Sequence, residues 1–284
     1  MTAPFELAAE LAIDTQVARR IMVGFIRSQL AQAGFGRLVL GLSGGVDSAL
    51  VCFLAAEAVG PADLLCVLMP YRSSSVDSRS DAEAVVAQIG CPSRLVDISP
   101  MVDAYFATAE EASAVRRGNF MARLRMTVLY DLSASWGGLV IGTGNKTESL
   151  IGYTTVYGDS ACAFDPIGDL YKSQVRQMAL AVGVPERIIA KAPSADLWPG
   201  QTDEAEMGLD YAELDRLLYW LIDRRRRPEE LAELGFAPEL VSRVERMVAG
   251  AEFKRQMPPI AKISTRTAGV DYLYPRRRPG SRRG

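Results

Sequence analysis

The string Gly41-Leu42-Ser43-Gly44-Gly45-Val46-Asp47-Ser48 is where residue type and spacing first point to chemistry. Two adjacent glycines let the backbone turn tightly and bring bare N–H groups up to a ligand. A helix that follows at once adds partial positive charge at its N-terminus, and the whole becomes a cradle for phosphate or pyrophosphate. Ser43 and Ser48 offer hydroxyl hydrogens to the same oxygens. An aspartate in such a cradle repels the ligand unless a cation joins them, so Asp47 implies magnesium between carboxylate and phosphate. The string is not a Walker loop, since no Gly-Lys-Ser/Thr follows, nor Gly-x-Gly-x-x-Gly, since its glycines are adjacent. A plain Gly-Gly turn, with Asp47 as an acid in the first turn of a helix, is the competing structural reading.

The surrounding pattern supplies the strand and helix that this loop needs. Residues 37–42 read as a short buried strand and 47–59 as a helix. Residues 64–69, 93–98 and 139–142 read as further strands, with helices over 14–33, 77–89 and 119–134 between them. Strands that alternate with helices and are nearly continuously apolar predict a parallel sheet covered on both faces. In such a sheet the ligand lies past the carboxyl ends of the strands, which directs attention to the loops 43–48, 70–77 and 142–148. From Lys172 onward the spacing is mainly helical, over 173–182, 211–223, 229–234 and 239–253.

Composition removes several classes of function. The 284 residues contain no histidine, which excludes Ser-His-Asp hydrolysis, Cys-His proteolysis and histidine-ligated zinc. Cys52, Cys66, Cys91 and Cys162 are scattered with no C-x-x-C pair, which reads as buried reduced thiols rather than a disulfide framework or a zinc site. Net charge is −2. The last fourteen residues hold five arginines against one aspartate, a surplus of four, which leaves the other 270 at −6. A mildly acidic body is not that of a general nucleic-acid binder. No basic n-region opens the chain, and no apolar run approaches the roughly 20 residues of a membrane helix, so the expected location is cytoplasmic, with no membrane partner.

The Ser-Gly-Gly-x-Asp-Ser string resembles the pyrophosphatase loop of the ATP-pyrophosphatase superfamily, whose members release AMP and pyrophosphate. Downstream strings choose among its members: Gly118-Asn119-Phe120-Met121-Ala122-Arg123-Leu124-Arg125-Met126, Gly142-Thr143-Gly144-Asn145-Lys146-Thr147-Glu148, and Pro166-Ile167-Gly168-Asp169-Leu170-Tyr171-Lys172. Pro193-Ser194-Ala195-Asp196-Leu197, Gln201-Thr202-Asp203-Glu204 and Phe253-Lys254-Arg255 follow in order. Together they resemble the ammonia-dependent NAD synthetases over residues 15–275. The resemblance implies an α/β fold of the adenine nucleotide alpha-hydrolase-like kind, a parallel sheet flanked by helices on both faces with a mainly helical C-terminal part. It implies one domain over 1–275, followed by a basic tail, 276–284, expected to be disordered. It implies a ligase that adenylates the carboxylate of deamido-NAD with ATP and then aminates it to NAD.

By the same resemblance, magnesium falls on Asp47 and Glu148, and ATP on Gly41, Leu42, Ser43, Gly44, Gly45, Val46, Asp47, Ser48, Thr143, Lys172 and Ser194. Deamido-NAD falls on Arg123 and Lys254, and Asp47, Lys172 and Glu148 form the catalytic set. Residue chemistry agrees, because two acids just past strand ends can share one cation beside a phosphate cradle. Lys172 adds positive charge where negative charge builds. The implied partners are ATP, deamido-NAD, ammonia from solution or from a separate glutamine amidotransferase, and a second copy in a homodimer. Three positions depart from many members of the family: Val156 where lysine is common, Ala163 where an acid is common, and Phe253 where histidine is common. The alternatives are an amide ligase of the same superfamily acting on a different carboxylate, and a non-catalytic ATP-binding module.

Overall fold

Four short runs pair into one parallel sheet: β1 (Leu38–Gly41), β2 (Leu64–Leu68), β3 (Ser93–Leu95) and β4 (Leu139–Val140). Their order in space is β3-β2-β1-β4. Leu38 and Val39 of β1 stand opposite Leu64 and Leu65 on one side and Leu139 and Val140 on the other. The computed structural model describes residues 5, 7–108, 111–194, 196, 198 and 200–268, and the basic tail read at 276–284 lies outside them.

Strand side chains alternate between two faces. Leu38 and Leu40 of β1, with Leu64, Cys66 and Leu68 of β2, enter one apolar cluster, while Val39, Leu65 and Val67 enter another. Both faces are therefore covered, as the apolar runs predicted. The first is packed by α1 (Thr15–Ala33) and α2 (Val46–Val59), together with α3 (Val76–Ile89). On the second lie α4 (Ser99–Phe106) and α5 (Ala114–Trp136), the latter contributing Leu132. Nine of the fourteen residues of α2 are buried, so this helix is central and its apolar sequence needs no polar face. β3 departs from the expectation of continuous apolarity. It is an edge strand, its three residues Ser93, Arg94 and Leu95 are exposed, and only β2 pairs with it.

Caps set several boundaries. Asp14 accepts from the Gln16 and Val17 amides, and Gly34 ends α1 at φ +77°. α5 begins at Ala114, five residues earlier than its apolar spacing shows, because Ser113 caps it through the Arg116 amide at 3.2 Å. Beyond β4 come α6 (Lys146–Ile151), α7 (Lys172–Val182), α8 (Glu186–Ala190) and α9 (Asp203–Met207). α7 returns to the first face of the sheet, packing against α2 through Val175, Met178 and Ala179. Finally α10 (Tyr211–Leu218), a π-helical turn at Tyr219–Asp223, α11 (Pro228–Glu233) and α12 (Pro238–Gly250) enclose a separate apolar cluster with Leu11, Ile151 and Tyr171. No helix among the described residues is long and apolar enough to cross a membrane.

Candidate active site

The strand order fixes where a site must lie. From β1 the chain steps outward to β2 and β3, then returns to the other side of β1 with β4. Loops leaving β1 and β4 therefore diverge and open a crevice at the carboxyl edge of the sheet. A cavity of about 530 Å³ occupies it, bounded by the 41–48 loop, Thr143, Glu148, Lys172 and Ser194. This volume lies in the range of small-molecule sites.

The loop is held by its own polar groups. Gly44 has φ +84°, and a Cβ there would lie 2.0 Å from the Ser78 carbonyl oxygen, so only glycine fits. The Gly45 amide donates to Ser43 Oγ at 3.2 Å, and the Ser43 and Ser48 hydroxyls lie 3.1 Å apart. The Ser48 hydroxyl donates to the Gly45 carbonyl at 3.0 Å and accepts from the Ser43 amide at 3.3 Å. Ser48 is thus turned back into the loop and shapes it, rather than facing the cavity as a donor. Gly45 caps α2 without a side chain, which leaves the first-turn amides to an anion.

Asp47, Glu148 and Lys172 come together here from three helix N-termini. The Lys172 ammonium, buried, donates to Asp47 Oδ2 at 2.6 Å and to Glu148 Oε1 at 3.0 Å. Asn145, fully buried, caps α6 through the Glu148 amide at 3.0 Å while its own amide donates to Asp47 Oδ1 at 2.9 Å. One side chain thereby fixes both acids. Asp203 adds negative charge near the same ammonium, and Asp165 adds it near Asp47. Burial pushes the Glu148 carboxyl up to about 7, against the pull of Lys172. Burial, with the Asp47 charge adding to it, likewise lifts Asp165 to about 7. Burial alone would depress the Lys172 ammonium, but Asp47 and Glu148 reverse this and hold it above the usual lysine value.

Behind this cluster stands Asp215, a fully buried carboxylate on α10. It accepts from Thr147 Oγ1 at 2.6 Å, from the Ser173 amide at 2.7 Å and from Ser173 Oγ at 2.6 Å. Thr147 Oγ1 in turn accepts from the Lys172 amide at 2.9 Å. Asp215 therefore ties the start of α6, which carries Glu148, to the start of α7, which carries Lys172. Nothing in local sequence marks Asp215, because its partners lie 68 and 42 residues away. Asn145 and Asp203 sit inside strings that drew attention from sequence, and only their contacts were out of reach.

Every residue assigned from sequence to ATP, magnesium or deamido-NAD lines the cavity except Gly44 and Arg123, and the departing positions Val156, Ala163 and Phe253 are not in its lining either. Arg123 borders a smaller hollow with Tyr105, Phe106, Arg116 and Phe120, and its Nε donates to the Val156 carbonyl at 3.2 Å. Residues two apart on a helix point to nearly opposite sides. Arg125 accordingly faces the main cavity, its Nε donating to the Met69 carbonyl at 3.0 Å, and burial pulls its pKa down. Lys254 Nζ donates to the Gly152 carbonyl at 2.6 Å and the Thr154 carbonyl at 2.8 Å. The Asp196 carboxylate accepts from the Ser75 amide at 3.0 Å, which ties Asp196 to the 70–77 loop. The neighbouring Phe253 is exposed.

Comparison with known proteins gives the same picture. Residues 18–258 match the sequence profile described as NAD synthase. An NH(3)-dependent NAD(+) synthetase from Trichlorobacter lovleyi is 52% identical over 268 residues, 94% of this chain and 98% of that one. Among solved structures, an NMN synthetase from Francisella tularensis superposes with a TM-score of 0.78 at 30% identity, covering 88% of this chain and 99% of that one. An NH3-dependent NAD synthetase from Campylobacter jejuni gives a TM-score of 0.76 at 34% identity, covering 88% and 100%.

Proposed function

The chain belongs to the NAD synthase family, and we propose that it is an ammonia-dependent NAD synthetase, a carbon–nitrogen ligase that forms AMP. The observation that carries this reading is the meeting of Asp47, Glu148 and Lys172 beside the glycine loop, at the point where the strand order reverses. The nicotinate carboxylate of deamido-NAD attacks the α-phosphorus of ATP, pyrophosphate leaves, and an acyl-adenylate remains. Ammonia then attacks the acyl carbon, and AMP departs with the carboxylate oxygen that joined it.

The 41–48 loop and the N-terminus of α2 bind the departing pyrophosphate through backbone amides. Lys172 holds positive charge where the α-phosphoryl group gains negative charge, and its rigid placement means that little reorganisation is needed. Ammonia as a free base is already a nucleophile, so the chemistry runs without a histidine. The donor set fits magnesium. Asp47 and Glu148 offer hard oxygens that already converge on one cation, with the Asp203 carboxyl close by and Asp165 beside Asp47. Magnesium, when bound, neutralises phosphate charge beside these two carboxylates. Asp47 and Glu148 would hold it.

The remaining parts of the proposal are a single unit over 1–275, a homodimer and a cytoplasmic setting. Outward-facing Tyr105, Val115 and Tyr130 on and beside α5 support a partner copy, and four free thiols support a reducing compartment.

A second reading keeps the chemistry and changes the acid. Similarity to an NMN synthetase favours it, as do Val156, Ala163 and Phe253 at positions expected to touch the dinucleotide. One experiment tests both. The purified protein is given ATP, magnesium, ammonium and either deamido-NAD or nicotinate mononucleotide, and AMP, pyrophosphate and amide are counted. Equal amounts of NAD, AMP and pyrophosphate are expected from deamido-NAD. Turnover of the mononucleotide alone supports the second reading, and AMP formation with neither acid overturns both.

A further inference from the structure

Away from the active site, three of the four cysteines converge in the core. Cys66 Sγ of β2 lies 3.5 Å from Cys52 Sγ of α2 and 3.5 Å from Cys91 Sγ, just after α3. All three sulfurs fall within 4.8 Å of one another, are buried, and are free of disulfides. Their spacing in sequence, 14 and 25 residues, conceals this. We propose that Cys52, Cys66 and Cys91 form a binding site for one three-coordinate, thiophilic metalloid ion of the trivalent arsenic class.

Geometry, donor count and charge each support that class. Bonds of about 2.3 Å from one centre, at angles between roughly 90° and 120°, hold three sulfurs about 3.3–4.0 Å apart, and two of the separations here already lie in that range. Among the described residues no further cysteine or acid joins the group, and the chain has no histidine, so a four-coordinate zinc site lacks its fourth protein ligand. The three thiols sit in the apolar cluster with Leu64, Leu68, Ala82 and Val85, where an uncompensated charge is costly. Three thiolates around copper(I) leave two negative charges and around zinc(II) one, whereas around arsenic(III) they leave none.

The step balances without an oxidant. Arsenous acid loses three hydroxyls and each thiol its proton, so three As–S bonds form, three waters leave, and arsenic stays trivalent. Cys91, the least buried of the three at 7% exposure, is where the ion enters. Because Cys66 on β2 stands opposite Leu40 of β1 and Cys52 follows Asp47 on α2, an occupied site links α2, which the glycine loop enters, to the strand paired with β1.

The test uses the intact protein, kept reduced with a phosphine and free of competing dithiols, and titrated with arsenite. Native mass spectrometry is expected to show one arsenic per chain with the loss of three protons. Thermal melting is expected to rise by several degrees. Cys91→Ala should weaken retention at least tenfold, whereas Cys162→Ala should leave it unchanged. Should Cys91→Ala fail to fold, the wild-type mass still decides, because a site made by only two thiols keeps a hydroxyl on arsenic. That two-thiol mass, no arsenic at millimolar arsenite, or equal loss in Cys162→Ala would each overturn the proposal.

Discussion

The two walls of the active-site cavity use their charged residues differently. At the ends of β1 and β4, charged side chains hold one another: Lys172 spans Asp47 and Glu148, and Asn145 bridges back to Asp47. Along α5 and the segments near 152–156 and 254, cationic groups clasp backbone carbonyls instead. Arg125 holds Met69 and Lys254 holds Gly152 and Thr154, and Arg123, which borders the smaller hollow, holds Val156 in the same way. Loss of a partner on the first wall leaves a buried charge unpaired, which is severely unfavourable. On the second wall a cation can exchange a neutral carbonyl for an anionic ligand and leave no charge stranded. The first wall is therefore fixed by the chemistry it performs, while the second can change with the acid it accepts. Of the departures read from sequence, Val156 and Phe253 belong to the second region, whereas the Ala163 amide donates to the Val140 carbonyl at the end of β4.

Lys172→Met should separate the walls most sharply. It removes the ammonium bonded to both acids, and AMP formation should fall by about 10²–10³ with any carboxylate, as for loss of a group aimed at developing charge. Steady-state assays at saturating magnesium check this, and a loss confined to KM for the acid would merge the two walls into one. Next in size is Asp215→Asn, which leaves Thr147 and Ser173 without their shared carboxylate. Stability should drop by about 1–3 kcal/mol in denaturant titration. Turnover should fall by about tenfold at unchanged KM for ATP, as expected when alignment rather than binding is lost.

Magnesium and pH sharpen the comparison further. Glu148 and Asp165, both lifted to about 7 chiefly by burial, bind protons in the folded state that the unfolded chain has released. Their contribution to stability is present below the ordinary carboxylate range and is lost as pH rises through about 7. Magnesium favours the ionised acids, so its gain in melting temperature should be larger at about pH 8 than at about pH 6. An equal gain at both would remove these carboxylates from the metal's surroundings. The smallest effect belongs to the second wall. Val156→Lys with Phe253→His should lower KM for deamido-NAD by about two- to fivefold while kcat stays within twofold, a gain of uniform binding only.

How much of this was legible in the sequence follows the same division. Apolar periodicity placed all four strands and the long helices, and the glycine loop announced itself because only glycine fits at Gly44. Asp47, Glu148 and Lys172 were visible as residues, each at the start of a helix. Their shared hydrogen bonds were not, since they join positions 125 and 24 apart. Short α4, α6, α8 and α9 went unread because five to eight residues carry little periodicity, whereas α11, no longer, was read where Pro228 opens it. Arg123 against Arg125 is a question of which side of α5 faces the crevice, and two arginines two residues apart leave that to the packing. The thiol cluster was hidden for a like reason: each cysteine is a small buried residue on a different element.

The central claim is that a carboxylate, not water, attacks the α-phosphorus of ATP at the Asp47–Lys172–Glu148 cluster. It is tested most directly by supplying deamido-NAD whose two carboxylate oxygens are both the heavy isotope and weighing the AMP and pyrophosphate released. One labelled oxygen should appear in AMP for every NAD formed, and none in pyrophosphate. Unlabelled AMP, or label in pyrophosphate, would contradict it.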